Sequence, residues 1–98
     1  MLYTLAVRKE AEADMLEAFK YHESCRENPG SDFLLCVEES FARNSKDPAQ
    51  YRTIHENVHR ALVRRFPYGI CYVILELNVS VIGVVHARKN PANWQARI

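Results

Sequence analysis

The spacing of hydrophobic positions changes along the chain, and each change marks an element. "LYTLAV" (Leu2 to Val7) alternates loosely and is rich in strand-favouring residues, which predicts a first strand. From Lys9 the period lengthens: Ala11, Met15, Ala18, Phe19, His22 and Cys25 recur at three- and four-residue steps with acidic residues between them. That pattern predicts an amphipathic helix of about 17 residues. Asn28-Pro29-Gly30 ends it, and Ser31 or Asp32 is placed to cap a second helix whose stripe is Phe33, Leu34, Val37 and Phe41. The stripe fades at Lys46-Asp47-Pro48. Beyond it come three strand-length segments, "HRALVRRF" (His59 to Phe66), "GICYVILEL" (Gly69 to Leu77) and "VSVIGVVHA" (Val79 to Ala87). The last two are apolar at nearly every position, as strands buried on both faces or central in a sheet are. The predicted order is β-α-α-β-β-β, an α+β fold in which a small, mainly antiparallel sheet packs against an antiparallel helical hairpin.

At 98 residues the chain is expected to be a single domain, residues 1–98, with one core. A composition of 48% hydrophobic and 26% charged residues with three Gly and four Pro is that of an ordinary globular protein. The longest apolar run, Ile70 to Leu75, is far shorter than the roughly 20 residues a spanning helix needs. The opening "MLYTLAVRKEAEAD" has no basic, apolar and cleavage regions of a signal peptide, so no membrane association and a cytoplasmic location are expected. Cys25, Cys36 and Cys71 form no C-x-x-C pair and leave an odd one over; they are expected to be buried free thiols. The net charge is only +1, but residues 1–50 carry six basic and ten acidic side chains and residues 51–98 carry seven and two. The C-terminal half is the basic half, as a surface for an anionic partner would be.

"HENVH" (His55 to His59) matches the zinc-protease string H-E-x-x-H. The string works only on a helix, where positions four apart stand about 6 Å from each other. The segment has no helical stripe, and in extended backbone four residues span about 13 Å, so no metal site is expected. More chemistry sits in "RRFPYGICY" and "HARKNPANWQAR". A strand apolar to Val85 that then delivers His86, Arg88, Lys89 and Arg97 places titratable and cationic groups at the rim of the sheet. Val84, His86 and Arg88 share one side of an extended backbone, with Arg65 on a strand nearby. One imidazole and two guanidinium groups are the parts needed to bind a phosphodiester and move a proton on it, which makes His86, Arg88 and Arg65 candidate catalytic residues. The bland reading of the same residues is a charged sheet edge that discourages aggregation.

Over nearly its whole length the chain resembles the ParE/RelE superfamily of type II toxin–antitoxin toxins, once described as plasmid stabilisation proteins. The resemblance is carried by the opening strand with "AEADMLEAFKYH", by "RRFPYGICYVI", and above all by "VVHARKNPANWQAR", which is similar to the ending H-x-R-[RK]-x-P-x-x-W. It implies a cytoplasmic toxin without a cofactor, held by a cognate antitoxin in a hetero-oligomer. RelE-like members cleave mRNA in the ribosome with basic residues on the sheet, often with a tyrosine near the C-terminus. ParE-like members bind DNA gyrase and trap it on cleaved DNA. Arg88 matches the arginine after the last strand, but Gly69 stands where the pattern Y-R-[LI]-x-Y has an arginine after Tyr68, and Trp94 where the C-terminal tyrosine falls. RNA binding rests on phosphate contacts, so a charge of +1 fits a ribosome-acting toxin poorly. The expectation therefore leans to a gyrase poison with Arg88, Lys89, Trp94 and Arg97 as target anchors, since Trp and Arg are favoured interface anchors. The alternative is a ribosome-dependent endoribonuclease in which His86 acts as base.

Overall fold

A computed structural model of the chain describes residues 3–23 and 30–87, with residues 22, 23, 30, 31 and 55 described by their backbone alone. Its elements are β1 (Thr4–Val7), α1 (Lys9–Glu23), α2 (Gly30–Lys46), β2 (Thr53–His55), β3 (Val58–Leu62), β4 (Tyr68–Leu75) and β5 (Asn78–His86). They form one mixed sheet in the order β1-β5-β4-β3-β2. β1 runs parallel to β5 and all other pairs are antiparallel, as the expected α+β architecture requires.

Both helices form where the longer period predicted them. Each carries acidic residues in its first turn, Glu10 and Glu12 in α1 and Asp32 in α2, and α2 ends with Arg43 and Lys46, so side-chain charges complement the helix dipoles. Ala11 and Ala18 of α1 and Phe33, Cys36 and Val37 of α2 are buried against Ile70, Tyr72, Val79, Val81 and Val84 of the sheet. Phe33 anchors this contact, meeting Phe66 and Tyr68 edge to face at 5.4 and 4.9 Å between ring centres. Two polar residues interrupt the stripe of α2. Ser40 and Asn44 are fully buried, and the Ser40 Oγ and both polar atoms of the Asn44 carboxamide find no hydrogen-bond partner among the described residues.

Four strands, not three, follow the helices. β2 pairs with β3 through a hairpin whose turn is Glu56-Asn57, so the stretch expected to be a loop feeding a strand is itself a short strand. The expected strand His59 to Phe66 also stops early: β3 ends at Leu62, and Arg65 lies in the following turn with φ 72°. Glu56 at φ 49° and Glu76 at φ 56° occupy the same left-handed region at the other two tight turns, a conformation that costs an L-residue roughly 1–2 kcal/mol.

The β4–β5 register contains one irregularity that decides where side chains point. Cys71 faces Gly83 and Tyr72 faces Val81, so Ile82 is an extra residue in β5, a β-bulge. One inserted residue moves every later side chain to the opposite face. Val79 and Val81 join the helix-side core before the bulge and Val84 joins it after; Ile82 and Val85 pack on the other face with Val58, Cys71 and Val73.

Candidate functional site

Because of the bulge, β5 delivers His86 to the helix side of the sheet, opposite its Cα partner Tyr68. The two rings meet edge to face at 5.2 Å. They help to line a cleft of about 330 Å³ together with Val84 and with Asp14, Glu17, Ala18 and Tyr21 of α1. β1 pairs with β5 only as far as Val81, so beyond that point the edge of β5 faces α1 instead of a strand. Asp14 closes that edge by accepting a hydrogen bond from the Val84 amide at Oδ2, 3.1 Å away. Burial pushes the Tyr68 phenol above its ordinary pKa, and Tyr21 and Glu17 add to the rise, so the phenol stays protonated at neutral pH. Two carboxylates, two phenols and an imidazole thus share the cleft.

Cations gather on the opposite face. On β3, Val58 belongs to the open-face cluster and Ala61 to the helix-side core, so alternation places Arg60 and Leu62 on the open face, and both are exposed. Arg60 lies across Gly69: a Cβ built on Gly69 would stand 2.8 Å from Arg60 Cδ and 2.9 Å from Cγ. The absent side chain at residue 69 is thus what lets the arginine of β3 cross β4. Arg52 stands opposite Arg60, whose amide donates to the Arg52 carbonyl at 3.2 Å, and alternation with Ile54 puts it on the same face. Neither guanidinium has an acidic partner among the described residues. Like charges directly opposite each other destabilise a sheet, so the pair is a feature that an anion would relieve.

The predicted catalytic residues are therefore only partly brought together. Arg65 sits in the β3–β4 turn rather than on a strand, at the end of the sheet where Ala87 donates to Pro67 O at 2.8 Å and hence at the end that carries His86. Arg88, Lys89, Trp94, Arg97 and Cys25 lie outside the described residues. Cys36 and Cys71 are buried free thiols. "HENVH" spans the β2–β3 hairpin: the Cα partner of His55 is Val58 and that of His59 is Thr53, so the backbone has none of the helical geometry the zinc string needs. The His59 ring stacks on Tyr72 at 5.4 Å, and its Nδ1 donates to the Tyr51 carbonyl at 2.7 Å. Among the described residues no three His, Cys, Asp or Glu side chains are grouped to hold a metal.

Sequence reading missed Asp14, Glu17, Arg52 and Arg60. Asp14 carried a signal, since it falls inside the α1 stripe between Ala11 and Ala18, where an apolar residue is expected. Arg60 carried a weaker one, in phase with Val58 and Leu62 along a strand.

No family model matches the chain, and no curated relative matches it. Solved structures do. A chain of the chromosomal ParDE toxin–antitoxin system of P. aeruginosa superposes with a TM-score of 0.70 at 13% identity, over 87% of this chain and 96% of that one. A chain of the RelBE2 toxin–antitoxin complex of Mycobacterium tuberculosis gives 0.63 at 20% identity, over 88% and 99%. An arginine-to-alanine double mutant of the E. coli toxin RelE in the free state gives 0.69 at 15% identity, over 100% and 99%. The fold is that of the RelE and ParE toxins. The chain spans the full toxin fold, and similarity extends equally to both branches, so the fold by itself favours neither. Within this fold the chain sets an imidazole and two carboxylates on the helix side of the sheet and two arginines on its open face.

Proposed function

We propose that the chain is the toxin of a type II toxin–antitoxin module, neutralised by a cognate antitoxin and acting in the cytoplasm by binding DNA gyrase rather than by cutting RNA. The observation that carries the second half of this reading is the position of His86. The bulge at Ile82 sets it in a cleft with Asp14 and Glu17, on the face of the sheet opposite Arg52 and Arg60. A general base for RNA cleavage must work beside cations that hold the phosphodiester, and carboxylates repel that group. Arg88, Lys89, Trp94 and Arg97 are then anchors for a protein target. No helix among the described residues is long and apolar enough to cross a membrane, which agrees with an action on soluble machinery.

The Arg52–Arg60 pair favours one other reading, ribosome-dependent mRNA cleavage with the open face holding the message. Expression without the antitoxin separates the two. Purified gyrase that accumulates linear DNA, with message left intact in a translating extract, supports the poison. Cuts at fixed codon positions overturn it, and in that case Arg60→Ala should slow cleavage more than His86→Ala does.

A further inference from the structure

The two edges of the sheet are finished differently. β2, at one edge, has three residues, a register irregularity between Thr53 and His55, and exposed charges beside it at Arg52 and Glu56. Shortness, irregularity and charge are the devices that keep an edge strand from pairing with another chain. β1, at the other edge, reads Thr4-Leu5-Ala6-Val7 and has no charge, no proline and no register irregularity. The Thr4 and Arg8 amides donate to the Leu77 and Val81 carbonyls of β5, so alternation turns the N–H and C=O groups of Leu5 and Val7 outward, to an edge with no strand beside it among the described residues. We propose that this edge pairs with the β1 edge of a second copy of the chain, antiparallel and centred on Ala6. A twofold axis at Ala6 sets Leu5 of each copy opposite Val7 of the other, so the outward groups of both residues find partners in about four main-chain hydrogen bonds. Leu5 and Val7 are half-buried against the helix-side core, and the pairing joins them into one apolar seam. On the open face Ala6 meets its own copy and Thr4 meets Arg8, so no like charges are opposed. The flanks are complementary in charge. The Tyr3 amide donates to the Ser45 carbonyl, which sets the last turn of α2, with exposed Lys46, beside the start of β1. The first turn of α1, with exposed Glu10 and Glu12 and with Lys9 offsetting one of them, follows the end of β1. Antiparallel pairing lays the start of one β1 beside the end of the other, so each basic turn stands by an acidic turn of the other copy. The assembly is closed, because the joined sheet presents only the two guarded β2 edges. This inference does not rest on the toxin reading.

Sedimentation equilibrium and crosslinking of the chain without its antitoxin test this. The wild-type chain should pass from the mass of one chain to that of two between about 10 μM and 1 mM. Ala6→Lys sets two ammonium groups opposite each other at the axis and should raise the dissociation constant about fivefold, whereas Leu35→Lys on the exposed face of α2 should leave it unchanged. Ala6 is exposed, so the substitution leaves the core intact, which far-ultraviolet spectra verify. Residues opposite each other at a non-hydrogen-bonded position have Cα atoms about 4.5 Å apart, within the reach of a disulfide. Under mild oxidation Ala6→Cys should therefore crosslink into dimers, and Thr4→Cys should not, because its two copies stand roughly 14 Å apart in this pairing. The wild-type chain supplies the background from Cys25, Cys36 and Cys71. Single-chain mass over the whole range, or Ala6→Cys crosslinking no faster than Thr4→Cys, overturns the proposal. A chain that stays single by itself, and whose affinity for the antitoxin falls in Ala6→Lys but not in Leu35→Lys, also overturns the second copy and makes the β1 edge a docking strand for the antitoxin.

Discussion

Along β4, Tyr68, Ile70 and Tyr72 turn toward the helices while Gly69, Cys71 and Val73 turn away, and the two sets meet different surroundings. The helix-side set is locked in place: Phe33 packs on Tyr68, and the Tyr72 hydroxyl donates to the Pro48 carbonyl at 2.6 Å in a buried bond. The other set forms a smaller cluster, with Arg52, Arg60 and Leu62 exposed on the same face. One face is given largely to packing, with a cleft lined by Asp14 and Glu17 at its end. The other keeps two arginines that have no acidic partner among the described residues. Functional residues that destabilise the free protein are expected where a partner later compensates them.

The comparison can be broken most directly at the helix-side core. Phe33→Ala should cost about 3–5 kcal/mol in chemical denaturation, whereas Ile82→Val in the open-face cluster should cost about 0.5–1.5 kcal/mol. Equal costs would mean that the two faces contribute alike.

A second test uses alkaline pH. Burial, with Tyr51 and Asp47 adding, holds the Tyr72 phenol well above its ordinary pKa of 10.0. The folded state therefore keeps a proton that the unfolded chain releases. Tyr72 favours folding fully below pH 10, and that contribution is lost as the pH rises above it. Tyr72→Phe should cost about 1 kcal/mol at neutral pH through loss of the bond to Pro48 and should flatten the alkaline decline in stability. A decline unchanged in the variant would place its origin elsewhere.

Within the same core, Asn44→Leu should raise stability by about 1–2 kcal/mol, because the carboxamide is buried without a partner among the described residues and the leucine fills similar space. Lower stability in denaturant would show that the carboxamide is bonded in solution. The smallest effect belongs to the open face: Arg52→Glu opposite Arg60 should stabilise by about 0.2–1 kcal/mol at low salt, with the gain shrinking as salt is added. No gain would show that the two guanidinium groups do not repel each other.

Much of the fold was legible in the sequence because its two periods are clean. Ala11, Met15 and Ala18, and then Phe33 and Val37, recur at helical spacing on one face of each of two helices, and "GICYVILEL" and "VSVIGVVHA" read as strands buried on both faces or central in a sheet. β2 was hidden because its three residues, set between Tyr51 and a two-residue turn, are too few to show an alternation. Arg65 was misplaced because nothing in "LVRRFPY" marks the end of β3 before Pro67, and the left-handed residue is not a glycine.

The sequence by itself determined the order of β1, the two helices and the last three strands, the apolar stripes of both helices and the presence of a histidine at the end of the last strand. It could not determine which face that histidine serves. In a strand apolar on both sides, alternation carries no sign, and an inserted residue is invisible until the partner strand is in register. The tertiary structure decided this with Ile82: without the bulge, His86 would point away from the helices, toward the face of Arg52 and Arg60. With it, the histidine lines one cleft with Asp14 and Glu17, residues about seventy positions away that only the packing of α1 against β5 brings near it.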